Sequence, residues 1–436
     1  MIGVCGDVCV KRATTTIALP GTNAMTSSSA NANYGVESPY AWRRLIAGLM
    51  LSTLGGVGMW SVVVALPAMQ AEFGVDRASA SVPFTMTMLG FGVGNVVMGR
   101  LADRFGIALP MALGTVMLAL GYVLTGLAGS LWQVALAHGL LIGVGCSTSF
   151  GPLMADMSHW FSKRRGRAVA IAATGNYLAG TFWPLVVSHF IEVSDWRATH
   201  IGIGIFLVFA MFPLILVMRR KLVEGHSDAT TSNDERRRAE SPFSPRTLQI
   251  LLCIAGVCCC MAMAMPQVHL VAYCADLGYG AARGAEMLSA MLALGIISRV
   301  GSGFVADKIG GVHTLLIGSV AQGVALFLYL PFDGLYSLYI ISAMFGLFQG
   351  GIVPMYAVIV REYFSPKEAS TRVGLVIFST VAGMAIGGWM SGKIFDLTGS
   401  YQAAFLNGIA FNAINVMIMI WLLMRSGRRT PAMAAA

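Results

Sequence analysis

The chain has 436 residues, of which 56% are hydrophobic and only 11% charged, with a mean hydropathy of +0.72. Soluble chains carry roughly 25% charged residues, so this one lacks the charge to keep a globular surface wet and is read as an integral membrane protein. Twelve helical spans of about 20 apolar residues each would use most of the length, which excludes a large soluble domain. The net charge of +9 does not indicate nucleic acid, because the basic residues collect at alternate span ends.

Residues 1–42 form a polar tail rich in Ser, Thr, Ala and Asn, expected to be disordered and cytoplasmic. Gly6 and Asp7 interrupt its first apolar stretch and Lys11-Arg12 follows rather than precedes it, so no signal peptide is expected; Met25 is a candidate alternative start. Spans are expected near 45–68, 81–99, 107–128, 131–155, 168–191 and 199–218, then near 248–272, 284–305, 313–332, 335–359, 372–395 and 403–424. They divide the chain into a six-helix bundle over 43–218, a polar cytoplasmic linker over 219–247, a second bundle over 248–425 and a cytoplasmic tail over 426–436. With both ends cytoplasmic, 24 of the 29 Lys and Arg lie on the cytoplasmic side, four lie opposite, and Arg299 lies inside a span. The eight cysteines sit mostly inside apolar runs, which points to neither a disulfide framework nor a zinc site.

A repeat links the two sets. Gly99-Arg100-Leu101-Ala102-Asp103-Arg104-Phe105-Gly106 after span two returns 204 residues later as Gly303-Phe304-Val305-Ala306-Asp307-Lys308-Ile309-Gly310, and Trp160-Phe161-Ser162 returns 203 residues later as Tyr363-Phe364-Ser365. Two matches at nearly one offset imply duplication. The G-x-x-A-D-[RK]-x-G element resembles the signature of the major facilitator superfamily. The resemblance implies an all-α membrane fold of twelve transmembrane helices in two pseudo-symmetric six-helix bundles, which rock about a central site while the signature loops latch the cytoplasmic side. Gly99, Gly106, Gly303 and Gly310 are expected to allow tight turns, and Asp103 and Asp307 to meet helix N-termini or basic groups such as Arg104 and Lys308.

Arg299 names a substrate class. At 1.5 Å per residue it lies about 12 Å inside Asp307, too deep to reach water easily, and an intramembrane Arg costs at least ~2.5–3.5 kcal/mol unless it faces a wet cavity or a partner. No Asp or Glu occupies the middle of any span, so an unpaired cation is expected to await an anion, and its planar fork suits a carboxylate. The competing reading, a structural arginine held by loose backbone carbonyls, stays open. Asn95 holds the repeat-equivalent position. Arg299-Val300-Gly301-Ser302-Gly303 resembles the arginine element of monocarboxylate transporters and oxalate/formate antiporters, as Glu72-Phe73-Gly74-Val75-Asp76-Arg77 resembles their external loop. Departures are Gly295, where monocarboxylate carriers have an acidic residue, and the absence of lysine from 377–390. Both weigh towards a monoanion over a dicarboxylate.

In span seven Pro266 precedes Gln267 and His269, with Tyr273 one turn on, a pattern expected of a bending helix with His269 in the site. Asn176 and Tyr177 of span five, the Ser147-Thr148-Ser149 run of span four, and Gln349 and Tyr356 of span ten are further cavity candidates, while Asn407, Asn412 and Asn415 are expected to bond between helices. Asp156 and Glu286 are candidate proton relays, and the 27 methionines are assigned to lipid contact and packing. No phosphate-binding loop or paired catalytic set appears, so the expectation is a gradient-driven secondary transporter rather than an enzyme. It would move a small organic anion, foremost a monocarboxylate, by proton symport or anion exchange across a bacterial inner membrane, with uptake preferred. The alternative is an exporter of drugs or other metabolites. Expected partners are the organic anion, the lipid bilayer and, as a candidate, protons; no nucleic acid, metal or cofactor is expected, and the chain is expected to act as a monomer.

Overall fold

The computed structural model describes residues 36–161, 164–220, 244–364 and 366–427. Most of the two tails, most of the 219–247 connection and the side chain of Asp307 lie outside the described residues. Among the described residues there is no strand, and the helices group into twelve rods. The first six are α1 (Pro39–Phe73), α2 (Arg77–Phe105), α3 (Ala108–Gly126), α4 (Leu131–Trp160), α5 (Arg165–Val193) and α6 (Trp196–Val217). The second six are α7 (Pro245–Asp276), α8 (Ala281–Ile309), α9 (Gly311–Leu328), α10 (Leu335–Tyr363), α11 (Pro366–Thr398) and α12 (Tyr401–Gly427). Each expected span falls on one helix to within a few residues. Eleven are long and apolar enough to cross a bilayer; α5 is 29 residues long but interrupts its apolar run with Thr174, Asn176, Tyr177 and Thr181.

Side chains beside the turns stop and start the rods. Ser38 Oγ accepts from the Ala41 amide at 3.3 Å with Pro39 opening α1, Asp76 accepts from Ser79 N at 2.8 Å to open α2, and Ser244 accepts from Thr247 N at 3.1 Å with Pro245 opening α7; such caps satisfy amides that have no intrahelical partner. The signature loops close on Gly106 and Gly310, at φ 84° and 86°, a backbone that disfavours a side chain. Gly99 and Gly303 differ from expectation: a Cβ at either would meet nothing within 4 Å, so no tight packing requires glycine there. Asp103 is exposed and bonds to no described residue, Arg104 lies over the Phe105 ring with 5.3 Å to its centroid, and Lys308 is exposed.

Two rods are broken, which hydropathy alone does not anticipate. α4 contains a π-helical stretch over His138–Gly143 and pauses again before resuming at Gly151; α10 pauses at Gly350 and Gly351. The freed amides find partners on the neighbouring helix: Gly151 N–H donates to Asn95 Oδ1 of α2 at 3.0 Å, and Gly351 N–H to Ser298 Oγ of α8 at 3.1 Å. By contrast, α7 runs unbroken through Pro266.

Within the first bundle α3 lies along α6; within the second α7 lies along α11 and α12, and α8 along α10. Across the bundles α2 packs on α11 and α5 on α8. At the end bearing the α1–α2 and α7–α8 turns, buried Arg77 ties the halves. Its guanidinium donates to Asp276 of α7 and Tyr401 of α12 at 3.1 and 2.8 Å, while Asp396 of α11 accepts from the Arg77 and Ala78 amides, both at 2.8 Å. At the opposite end Arg44 donates to both oxygens of Asp156 at 2.8 Å and to the Met218 and Arg220 carbonyls at 3.0 Å. Asp156 is therefore engaged as a counter-ion rather than standing free as a proton relay, and Glu286 likewise accepts from Arg283 and Tyr339. Removing one member of a buried pair strands the other, at a cost of about 3–5 kcal/mol. Arg44→Gln is expected to lower the thermal unfolding midpoint of the detergent-solubilised protein, and adding Asp156→Asn to restore part of the loss; equal midpoints for wild type and Arg44→Gln would show that the pair contributes nothing.

Candidate functional site

A cavity of about 110 Å³ lies between the bundles, lined by α1, α2, α4 and α5 from one half and α7, α8, α10 and α11 from the other. Arg299 is the one fully charged side chain on its wall among the described residues. α8 carries it there as a neighbour of α10, and the α10 break supplies its first partner: Arg299 Nε donates to the Gly350 carbonyl at 3.3 Å. Nη1 reaches across the bundle interface to the Ala173 carbonyl of α5 at 3.2 Å. The guanidinium carbon sits 4.2 Å from the centroid of the Tyr177 ring, also of α5. No described acidic side chain pairs with it.

Gly295 explains how that ring comes to lie there. It stands one turn before Arg299, and a Cβ added to it would fall 2.4 Å from Tyr177 Cε1 and 2.7 Å from Cδ1. The absent side chain is a notch filled by the Tyr177 ring from the other half, whose π face then meets the cation. The same position cannot hold a carboxylate without expelling the ring. A π face attracts a cation without neutralising it, so the site keeps its positive charge.

Of the residues singled out for the site, Arg299, Tyr177, Asn176 and Gln267 line the cavity; five others and the Ser147-Thr148-Ser149 run, whose hydroxyls donate to the Val144, Gly145 and Cys146 carbonyls, do not. Asn95 is held by the break in α4, its Nδ2 donating to Phe91 O at 2.8 Å and its Oδ1 accepting from Gly151. His269 is fully buried, with Nε2 at 2.7 Å from Gly388 O of α11. Tyr273 packs edge-on to Tyr401, centroids 5.1 Å apart. Gln349 is buried beside the α10 break with neither amide atom bonded, and Tyr356 donates to Asn415 Oδ1 at 3.1 Å. Asn415 and Asn412 bond Ser319 at 2.7 and 2.9 Å, as expected of interhelical contacts.

The rest of the wall is apolar and went unnoticed in the sequence. Phe84, Met88 and Phe91 line it from α2, Met59 and Trp60 from α1, Met263 from α7, Leu292 from α8 and Met384 from α11. The α2 set has the i, i+4, i+7 spacing of any helix face, so the sequence does not tell a cavity wall from a lipid-facing stripe. Two nearby polar groups are already satisfied: Trp60 Nε1 donates to Asn176 O at 3.4 Å and Thr380 Oγ1 to Ile377 O at 2.7 Å. The site thus offers one cation and the amides of Asn176 and Gln267 set in an apolar wall, an arrangement able to hold one negative charge.

Comparison with known proteins agrees with this architecture. The chain is 28% identical over 350 residues to Monocarboxylate transporter 13 of Bos taurus, covering 79% of each protein. It is 22% identical to the MFS-type transporter pynF of Aspergillus niger, covering 80% of each, and 24% identical to the Agnestins efflux protein AgnL12 of Paecilomyces divaricatus, covering 74% and 73%. In fold it is similar to a bacterial homologue of the human lysosomal transporter Spinster, solved inward-facing and unoccupied, with a TM-score of 0.67 at 14% identity over 89% of this chain and 97% of that one. The sequence model of the Major Facilitator Superfamily matches residues 48–329 and again 252–434, and the chain belongs to that superfamily.

Proposed function

We propose that the protein is a secondary transporter of a small organic anion, foremost a monocarboxylate, working by alternating access. The observation that carries this reading is Arg299, a cation in the cavity between the halves that is held by two carbonyls and a ring face rather than by a carboxylate; the two carbonyls also fit the structural reading of Arg299, and its place on the cavity wall favours the anion. Guanidinium has five N–H donors, and only two are engaged with described residues, so a carboxylate entering the cavity finds donors free to bind it. A second fixed cation is missing from the described wall, which favours one negative charge over two. The relatives named monocarboxylate transporters support the substrate class, and the relative named an efflux protein keeps export as the rival direction. Cytoplasmic termini are supported by the distribution of basic residues, with the bundles 43–218 and 248–425, joined through 219–247, rocking about the central site. A bacterial inner membrane is proposed from the compact loops and the family resemblance, although the sequence relatives named above are eukaryotic.

Binding and movement are coupled in this scheme through Ala173. Its carbonyl joins α5 of one half to Arg299 of the other, and a bound carboxylate, a full charge where the carbonyl is a dipole, takes over that donor. The contact between halves then loosens as cargo arrives.

Two outcomes are expected. In proteoliposomes, Arg299→Gln abolishes anion flux, and Arg299→Lys, which retains charge without the fork, leaves a small fraction; anion flux retained in Arg299→Gln would sink the proposed role. Flux driven in turn by an imposed pH gradient and by anion on the far side tells symport from exchange. Gly295→Ala drives a methyl into the Tyr177 ring, and overpacking of this kind costs about 1–3 kcal/mol. Its unfolding midpoint is expected to fall and to recover partly in Gly295→Ala/Tyr177→Ala; absence of that recovery would show that the notch does not position the ring.

A further inference from the structure

We infer that the transported anion carries a bulky apolar body, an aryl or branched-alkyl group on a single carboxylate, rather than being a two- or three-carbon hydroxy or keto acid. This inference rests on the anion reading above and concerns the part of the site that Arg299 does not touch. Beside Arg299 and the Tyr177 ring, the wall carries few polar side chains: Asn176, Gln267 and Thr380, the last already bonded to Ile377 O. Leu292, seven residues along α8 from Arg299 and so about 10 Å from it at 1.5 Å per residue, also lines the cavity, as do Phe84, Met88, Met263 and Met384.

A three-carbon acid bound to Arg299 would end short of Leu292 and leave much of the apolar lining against water. A body that reaches the wall buries apolar surface, and each added methylene is worth about 0.8 kcal/mol, or roughly fourfold in affinity at 1.4 kcal/mol per decade. Gln267 and Asn176 are the amides on the wall, too little to hold a second carboxylate. The methionines are unbranched and polarizable, so they adapt to apolar bodies of different shape; a range of hydrophobic acids is therefore accepted rather than one.

The test uses the purified full-length protein and its proteoliposomes, with pyruvate, lactate, 4-methyl-2-oxopentanoate, phenylpyruvate, succinate and the uncharged phenylacetamide as probes. Half-maximal thermal stabilisation and half-maximal competition for flux are expected at concentrations at least tenfold lower for phenylpyruvate and 4-methyl-2-oxopentanoate than for pyruvate or lactate, with no response to succinate or phenylacetamide. Met384→Ser and, separately, Met88→Ser are expected to narrow that ratio. Pyruvate or lactate binding as well as phenylpyruvate, with all anion responses still lost in Arg299→Gln, overturns the apolar-body inference and leaves the anion reading standing. Phenylacetamide binding as well as the acids, and doing so in Arg299→Gln, overturns the anion reading itself; no response to any anion overturns both.

Discussion

The constraint on which the site depends is the solvation of one guanidinium inside a bilayer. Such a group costs several kcal/mol unless its charge is answered, and elsewhere in this chain the answer is a carboxylate: Asp156 for Arg44, Asp276 for Arg77 and Glu72 for Arg197. These three pairs lie near the ends of the rods and link helix to helix. At Arg299 the answer is weaker, two carbonyls at 3.2 and 3.3 Å and a ring face at 4.2 Å. The distances are at the long end for N–H···O bonds, so the centre of the molecule keeps a cation that is partly satisfied.

The duplicated frame shows where that cation comes from. In each half the second helix staples a break in the fourth: α2 through Asn95 to the break in α4, and α8 through Ser298 and Arg299 to the break in α10. Broken membrane helices expose amides and carbonyls that need partners, and repeat-equivalent positions supply them. The first half uses a neutral amide that is consumed by its two bonds, while the second uses a longer cation with donors left over. In the first half the residue at this position accepts from the amide of the break, and in the second it donates to a carbonyl of the break while Ser298 beside it takes the amide.

Legibility in the sequence follows the range of the interactions. Span positions and the positive-φ turns at Gly106 and Gly310 arise from local composition and spacing and appear where expected, whereas Gly99 and Gly303 meet no close packing. Polar interruptions put α5 below the apolarity of the other rods, and the same residues, Asn176 and Tyr177, mark it as cavity-lining. Helix rotation about its own axis is not local: the one-turn spacing of His269 and Tyr273 is real, yet that face turns to Gly388 and Tyr401 rather than to the cavity. Breaks are legible only in part: the Gly350-Gly351 pair does interrupt α10, while Pro266, the stronger breaker, leaves α7 continuous. The partners of Arg44 and Arg77 lie 112 and 199 residues away, and no periodicity reveals them.

The absence of acid at 295 is more than a difference from monocarboxylate carriers. A carboxylate one turn from Arg299 would neutralise it, and an arriving anion would then have to displace a full charge. The Tyr177 ring, admitted by the missing Cβ of Gly295, orients the guanidinium without neutralising it, so an anion bound as proposed would displace only carbonyl dipoles. Because that ring belongs to α5 and the notch to α8, the arrangement exists only while the two halves are in contact. Separation of α5 from α8 would remove the ring and the Ala173 carbonyl together, leaving Gly350 as the described partner of the guanidinium, so its surroundings are tied to the contact between the halves.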